Sequence, residues 1–215
     1  MTIDFSRLII YGAGALGHEI AEYACDAYNW NLHEPNKILF IDDTPGLKSE
    51  NPAWDVIHGL PNYKQKLGDK FLIGIGVPKI RSELYNILNK KNFKFATLIH
   101  PSSYISNFSN IGPGTIIAPF CTIGARSILS PNSILNTYVA IGHHVLLGRS
   151  CVVSPKVLVA GKSIIGDFVF IGSNAVITSE IKIGSGCKIA ASSVVYHNCQ
   201  NDFLISGNPS KSFKL

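Results

Sequence analysis

The chain has 215 residues, 46% of them hydrophobic, which is enough apolar material for one large or two small packed domains. Its formal charge of +5 is spread along the sequence, with Lys90–Lys91 the densest point. That pattern excludes a nucleic-acid footprint and leaves a mild preference for phosphate-bearing ligands.

Met1 to Tyr11 contains no charged leader followed by an apolar core, and no run of about eighteen apolar residues occurs anywhere, so a cytoplasmic protein without membrane insertion is expected. From Arg7 to Ile10 the chain is apolar and enters Gly12-Ala13-Gly14-Ala15-Leu16-Gly17, after which Leu16, Ile20, Tyr23 and Ala24 follow helical spacing. This reads as a strand, a glycine turn and a helix start. Gly12 and Gly14 let backbone approach a phosphate, whose charge the helix amino terminus favours. Lys37 to Ile41 reads as a second strand ending in Asp42-Asp43, where an acidic side chain can meet a ribose hydroxyl. A G-x-G-x-x-G alone fits equally a turn that merely packs helix on strand. The flanking strand, helix and acidic pair favour a ligand.

Thr44 to Lys64, with Pro45, Gly46, Pro52, Trp54 and Pro61, reads as an irregular loop and a plausible ligand wall. Phe71 to Gly76 is a third strand, and Pro78 opens a helix carrying Ile80, Leu84, Ile87 and Leu88. Arg81 on that helix fits a solvated face better than a ligand contact. Phe95 to Ile99 reads as a fourth strand. These elements predict a small Rossmann-like parallel α/β domain over residues 1–100, joined at His100-Pro101-Ser102 to a second domain over 101–215. The second mononucleotide half of an NAD fold is missing, so a single nucleotide fits better than a dinucleotide. An NAD-binding regulator is the alternative reading of the glycine turn.

From Ile105 to Val195 every sixth residue is aliphatic, sixteen in succession, and small residues dominate the positions one and four places later. Neither helix nor simple strand has that period. A chain that runs along a flat face, turns a corner and repeats does, which predicts a parallel β-helix of three short faces per coil and about five coils. The segment from Tyr196 breaks the repeat and is expected to close the open end. Cys121, Cys151, Cys187 and Cys199 fall at the small fourth-offset phase and read as small buried hydrophobes rather than metal ligands or disulfides; no metal site is expected. His143-His144, the only histidine pair, falls at outward phases, where a histidine on a rigid coil can serve as a base for a substrate between subunits. Two solvent-exposed polar residues are the plainer alternative.

The hexapeptide register resembles that of the hexapeptide-repeat acyltransferases, which implies a left-handed β-helix, a homotrimer, and acyl-CoA lying between subunits. The glycine turn, the His-Pro-Ser join, Asn136-Thr137 before the histidine pair and the Gly207-Asn208-Pro209-Ser210-Lys211 ending together resemble the bacterial sugar acetyltransferases, the PglD-like and sialic acid O-acetyltransferase group. The resemblance places the catalytic base on His143, with His144 as a substitute for an acidic partner, because the family's two flanking acids fall here on Gly142 and His144. A second family histidine falls on Val152 and is absent. The resemblance also assigns the thioester oxygen to the backbone N–H of Gly161, further acetyl-CoA contacts to Ala190, Ala191 and Ser192, and the sugar nucleotide to Gly12, Ala13, Gly14, Gly17, Asp42, Asp43, Gly76 and Arg81.

The activity implied is acetyl-CoA-dependent N-acetylation of a nucleotide-linked amino sugar, of the 4-amino-4,6-dideoxy kind, for surface glycan synthesis. A sialic acid-type O-acetyltransferase and a non-catalytic nucleotide-binding scaffold are the alternatives.

Overall fold

The computed structural model describes residues 5–215; residues 1–4, on which the expectation about a leader partly rests, lie outside it. Four parallel strands, β1 (Arg7–Tyr11), β2 (Ile38–Asp42), β3 (Asp55–His58) and β4 (Asp69–Ile73), form a sheet in the order β3-β2-β1-β4. Helix α1 (Ala15–Tyr28) follows β1 and α2 (Pro78–Lys90) follows β4. Leu8, Ile10, Phe40 and Leu72 pack with Ile20, Ala21 and Ala24 of α1, while Ile9, Ile41, Phe71 and Ile73 pack with Leu84, Tyr85 and Leu88 of α2. Because both sheet faces are covered, the inner strands are apolar runs rather than alternating ones.

The fourth strand differs from the expectation. It is Asp55–His58, inside the stretch read as an irregular loop, and it pairs with β2 at the sheet edge. Its residues are exposed or half-buried and it is bracketed by Pro52 and Gly59, so Val56 and Ile57 give it only a two-residue apolar run. Phe95 makes only a single bridge to Phe71. Leu98–Ile99 (β5) pairs instead with Ile116–Ile117, so the coils begin just before the expected domain junction.

From β5 to Val194–Val195 run seventeen two-residue strands, each hydrogen-bonded to the one 18 residues away, as in Ile134 beside both Ile116 and Val152. They stack into three parallel faces of a β-helix. The second residue of each strand points inward, and the aliphatic ladder from Ile117 to Val195 forms one buried core, with Ile105 and Ile111 partly buried at its start. From Gly114 to Ser192 the corners are turned by residues with positive φ, one every six positions, among them Phe120 at 61°, Arg126 at 60°, Asn132 at 64°, Tyr138 at 62° and His144 at 58°. Phe203–Gly207 pairs with Lys188–Ile189 and returns as Ser210–Lys214, which closes the last coil.

The two domains share a core. Leu98, Ile116 and Ile134, on the first face of the β-helix, pack in the cluster that contains Ile20 and Ala24 of α1. Tyr28 Oη donates to the Thr97 carbonyl at 3.1 Å, and His100 Nε2 lies 3.1 Å from Asp26 Oδ2. No helix among the described residues is long and apolar enough to cross a membrane.

Candidate functional site

The glycine turn sits at the carboxyl end of β1, where sheet polarity and the start of α1 converge. Gly12 takes φ 107°, a conformation that side chains rarely adopt, and its N–H donates to the Ile41 carbonyl at 2.8 Å. Gly17 lets α1 touch the turn, since a Cβ there would overlap the Gly12 carbonyl oxygen. Asp42 Oδ2 accepts the Ala13 N–H at 2.8 Å and Oδ1 accepts the Thr44 N–H at 2.9 Å. Burial works against that carboxylate, but the two backbone donors outweigh it and hold its pKa below the ordinary value. Tyr11 Oη donates to Asp43 Oδ2 at 2.9 Å, and burial together with Asp43 keeps the phenol protonated. Gly76 lies beside Leu16 across the same opening. The structure therefore gathers Gly12, Ala13, Gly14, Gly17, Asp42, Asp43 and Gly76 at one end of the sheet.

Arg81 departs from both readings made of it. It is fully buried, not solvated, and its donors are all taken by oxygens of the chain: Ile73 O, Ile75 O, Asn132 O and Asn132 Oδ1. It ties α2 to the β-helix and cannot reach a ligand. Sequence reasoning missed Tyr11 and Thr44 as the groups that fix the acidic pair. Tyr11 was visible as the polar-tipped last residue of an apolar strand.

The second cluster lies on the edge between the second and third faces, where the chain turns from Ala140–Ile141 to Leu146–Leu147. His143 and His144 are exposed there, with Nδ1 atoms 3.0 Å apart and ring planes at 90°. Gly161 occupies the same edge one coil on: a Cβ at that position would stand 2.8 Å from both Cε1 and Nε2 of His143. Only glycine gives the imidazole this seat. The Gly161 N–H donates to nothing among the described residues. Gly142, where the resemblance would place an acid, has no room for one, because a Cβ there would stand 2.6 Å from Gly161 N.

Ala190, Ala191 and Ser192 lie on a different edge, between the first and second faces. Val152 is buried on the first face, away from His143. All five cysteines are free thiols, and burial pushes Cys121 up to about 11 and Cys151 up to about 12, which suits small core residues. Among the described residues no group of three His, Cys, Asp or Glu side chains is placed to hold a metal.

Residues 7–88 match the PglD N-terminal domain and residues 162–197 match the bacterial transferase hexapeptide, six repeats. Among solved structures the chain is similar to the acetyltransferase domain of PglB from Neisseria gonorrhoeae, at 26% identity over 97% of this chain and 100% of that one, with a TM-score of 0.89; that domain is also solved with acetyl coenzyme A. A variant of perosamine N-acetyltransferase from Caulobacter crescentus, in complex with CoA and GDP-perosamine, superposes with a TM-score of 0.88 at 21% identity, over 99% of both chains. WeeI from Acinetobacter baumannii matches at 22% identity and 0.86, over 96% of this chain and 99% of that one. The chain thus has the build of the sugar acetyltransferases, with a PglD-type N-terminal domain followed by a left-handed, hexapeptide-repeat β-helix.

Proposed function

We propose that the protein is an acetyl-CoA-dependent N-acetyltransferase that acylates the amine of a nucleotide-linked amino sugar for surface glycan synthesis, with His143 as general base. The observation that carries this reading is an exposed imidazole seated over the Cα of Gly161, beside a backbone N–H with no partner among the described residues. His143 Nε2 takes a proton from the sugar amine as its nitrogen bonds to the acetyl carbonyl carbon. The oxygen gains negative charge near the Gly161 N–H, and collapse expels CoA as the thiolate. General-base assistance of this kind contributes roughly 10²–10⁴-fold, and one backbone donor to the oxyanion about 3 kcal/mol. The glycine turn and Asp42-Asp43 hold the nucleotide part of the acceptor.

The same reading makes the protein a homotrimer. In one chain the His143 edge and the Ala190–Ser192 edge flank opposite sides of the second face, so a single acetyl-CoA spanning both roles needs two subunits. The outward residues of that second face, Tyr104, Thr122, Ala140, Leu158, Val176 and Val194, include no charge, which suits a buried contact.

The test is thiol release from acetyl-CoA, with product mass, across UDP-, dTDP- and GDP-linked amino sugars. Turnover on one of them that His143→Ala abolishes is expected. Turnover only on hydroxyl acceptors, or none on any, would overturn the reading.

A further inference from the structure

We propose that His144 is a positioning residue: its Nδ1 accepts the Nδ1–H of His143 and so fixes the tautomer in which His143 Nε2 keeps its lone pair. The two Nδ1 atoms are 3.0 Å apart, a distance at which one must carry the shared hydrogen and the other must be bare. Successive side chains in an extended strand point to opposite sides and could not meet in this way. The corner makes it possible. His144 holds φ 58°, and its N–H is anchored to the Ala125 carbonyl of the preceding coil at 2.9 Å, which turns its ring back across that of His143.

No other partner has access to that nitrogen from the preceding residue, because a side chain at position 142 would collide with the Gly161 backbone. Lys162, on the same edge, is held by Glu180 at 2.9 Å. A histidine acceptor selects the tautomer as a carboxylate would, since the hydrogen bond at one ring nitrogen decides the state of the other. It adds no counter-charge when His143 becomes protonated, so the bond lacks the strengthening that an ionised acceptor gives.

The kinetic part of this inference rests on the acetyl-transfer reading; the tautomer does not. The experiment compares the parent with His144→Phe and His144→Asn. Phenylalanine is already housed at equivalent corners, Phe120 and Phe168, so the first variant removes the acceptor while keeping a ring. Asparagine restores an acceptor and tolerates positive φ. In protein carrying ¹⁵N-histidine at mildly alkaline pH, the parent is expected to show His143 protonated at Nδ1 and bare at Nε2, and His144 the reverse. In His144→Phe the His143 preference is lost and kcat falls about 10–100-fold with KM unchanged, and His144→Asn recovers both. A parent His143 protonated at Nε2 overturns the proposal. So does a full kcat in His144→Phe alongside an inactive His143→Ala. A parent without turnover counts against acetyl transfer, and the ¹⁵N spectrum still decides the role of His144.

Discussion

Arg81 donates from Nε at 3.1 Å and from Nη2 at 3.0 Å to the backbone carbonyl of Asn132, 51 residues away and in the other domain. Its Nη1 holds the carbonyls of Ile73 and Ile75. Burial lowers its pKa to about 9, which still leaves it charged at neutral pH, and the carbonyl oxygens around it stabilise that charge. Between those two carbonyls lies Gly74, which packs so closely on the glycine turn that a Cβ there would stand 2.9 Å from Gly17 Cα. The guanidinium therefore fixes the glycine-turn end of the sheet against the β-helix. Arg81→Met leaves three buried carbonyls without a donor and is expected to cost on the order of 3 kcal/mol. That corresponds to a fall in Tm of roughly 6–12 °C for a chain of this size. A thermal melt followed by circular dichroism checks it, and an unchanged Tm would mean that the clamp does not stabilise the fold.

The glycine turn offers a pair of alanine substitutions with opposite outcomes. A Cβ on Gly14 meets nothing within 4 Å, whereas one on Gly17 overlaps the Gly12 carbonyl oxygen. Gly14→Ala should melt like the parent while weakening the nucleotide, because the new methyl enters the space a phosphate would use. Gly17→Ala should lose the turn itself, with a destabilisation of about 2 kcal/mol or more. Melting and calorimetric titration with UDP and GDP separate the two effects. Equal binding by Gly14→Ala and the parent would remove the turn from the ligand site.

How much of this was legible in the sequence differed between the domains for physical reasons. The β-helix was readable because one constraint recurs: Ile117 to Val195 must stack on identical neighbours, so each coil repeats the same demand. The corners were hidden, since the positive-φ positions are filled by Phe120, Arg126, His144 and Lys162 with no common chemistry. In the first domain β1, β2 and β4 are buried on both faces and announce themselves, but β3 is an exposed edge and did not. Arg81 illustrates the limit. Nothing local distinguishes an arginine on a solvated helix face from one whose acceptors lie 51 residues away.

Asp69 gives the fold an acid-sensitive anchor. Its carboxylate accepts two bonds from Arg7, at 2.8 and 2.7 Å, and others from Tyr63 Oη and the Lys66 N–H, with its side chain 1% exposed. Burial opposes its charge, but Arg7 and the other donors prevail and hold the pKa below the ordinary value. A depressed carboxyl contributes stability that is present above its unfolded value of about 3.9 and lost as pH falls through the lower folded value. Asp69→Asn should therefore be less stable than the parent near neutrality, by about 1–3 kcal/mol. The difference should shrink as pH falls below about 4. Urea unfolding at several pH values tests this. A gap that persists unchanged into acid would assign the effect to packing rather than charge.

Leu158 tests the assembly that the proposed site needs. It is 41% exposed at the centre of the uncharged second face, while its neighbour Val159 points inward and is fully buried. The two positions separate assembly from folding. Leu158→Lys places a charge on the face without touching the coil's core, so the folded β-helix should remain and the proposed trimer should dissociate, with acetyl transfer lost because a lone subunit holds its two edges on opposite sides of the face. Val159→Ala should leave the assembly type unchanged and lower stability, by about 1–3 kcal/mol from the lost methyl groups and the cavity left behind. Light scattering with circular dichroism reads both. A Leu158→Lys protein that stays trimeric and active would move the subunit contact to another face, and one that is monomeric yet active would show that the His143 edge works without a partner.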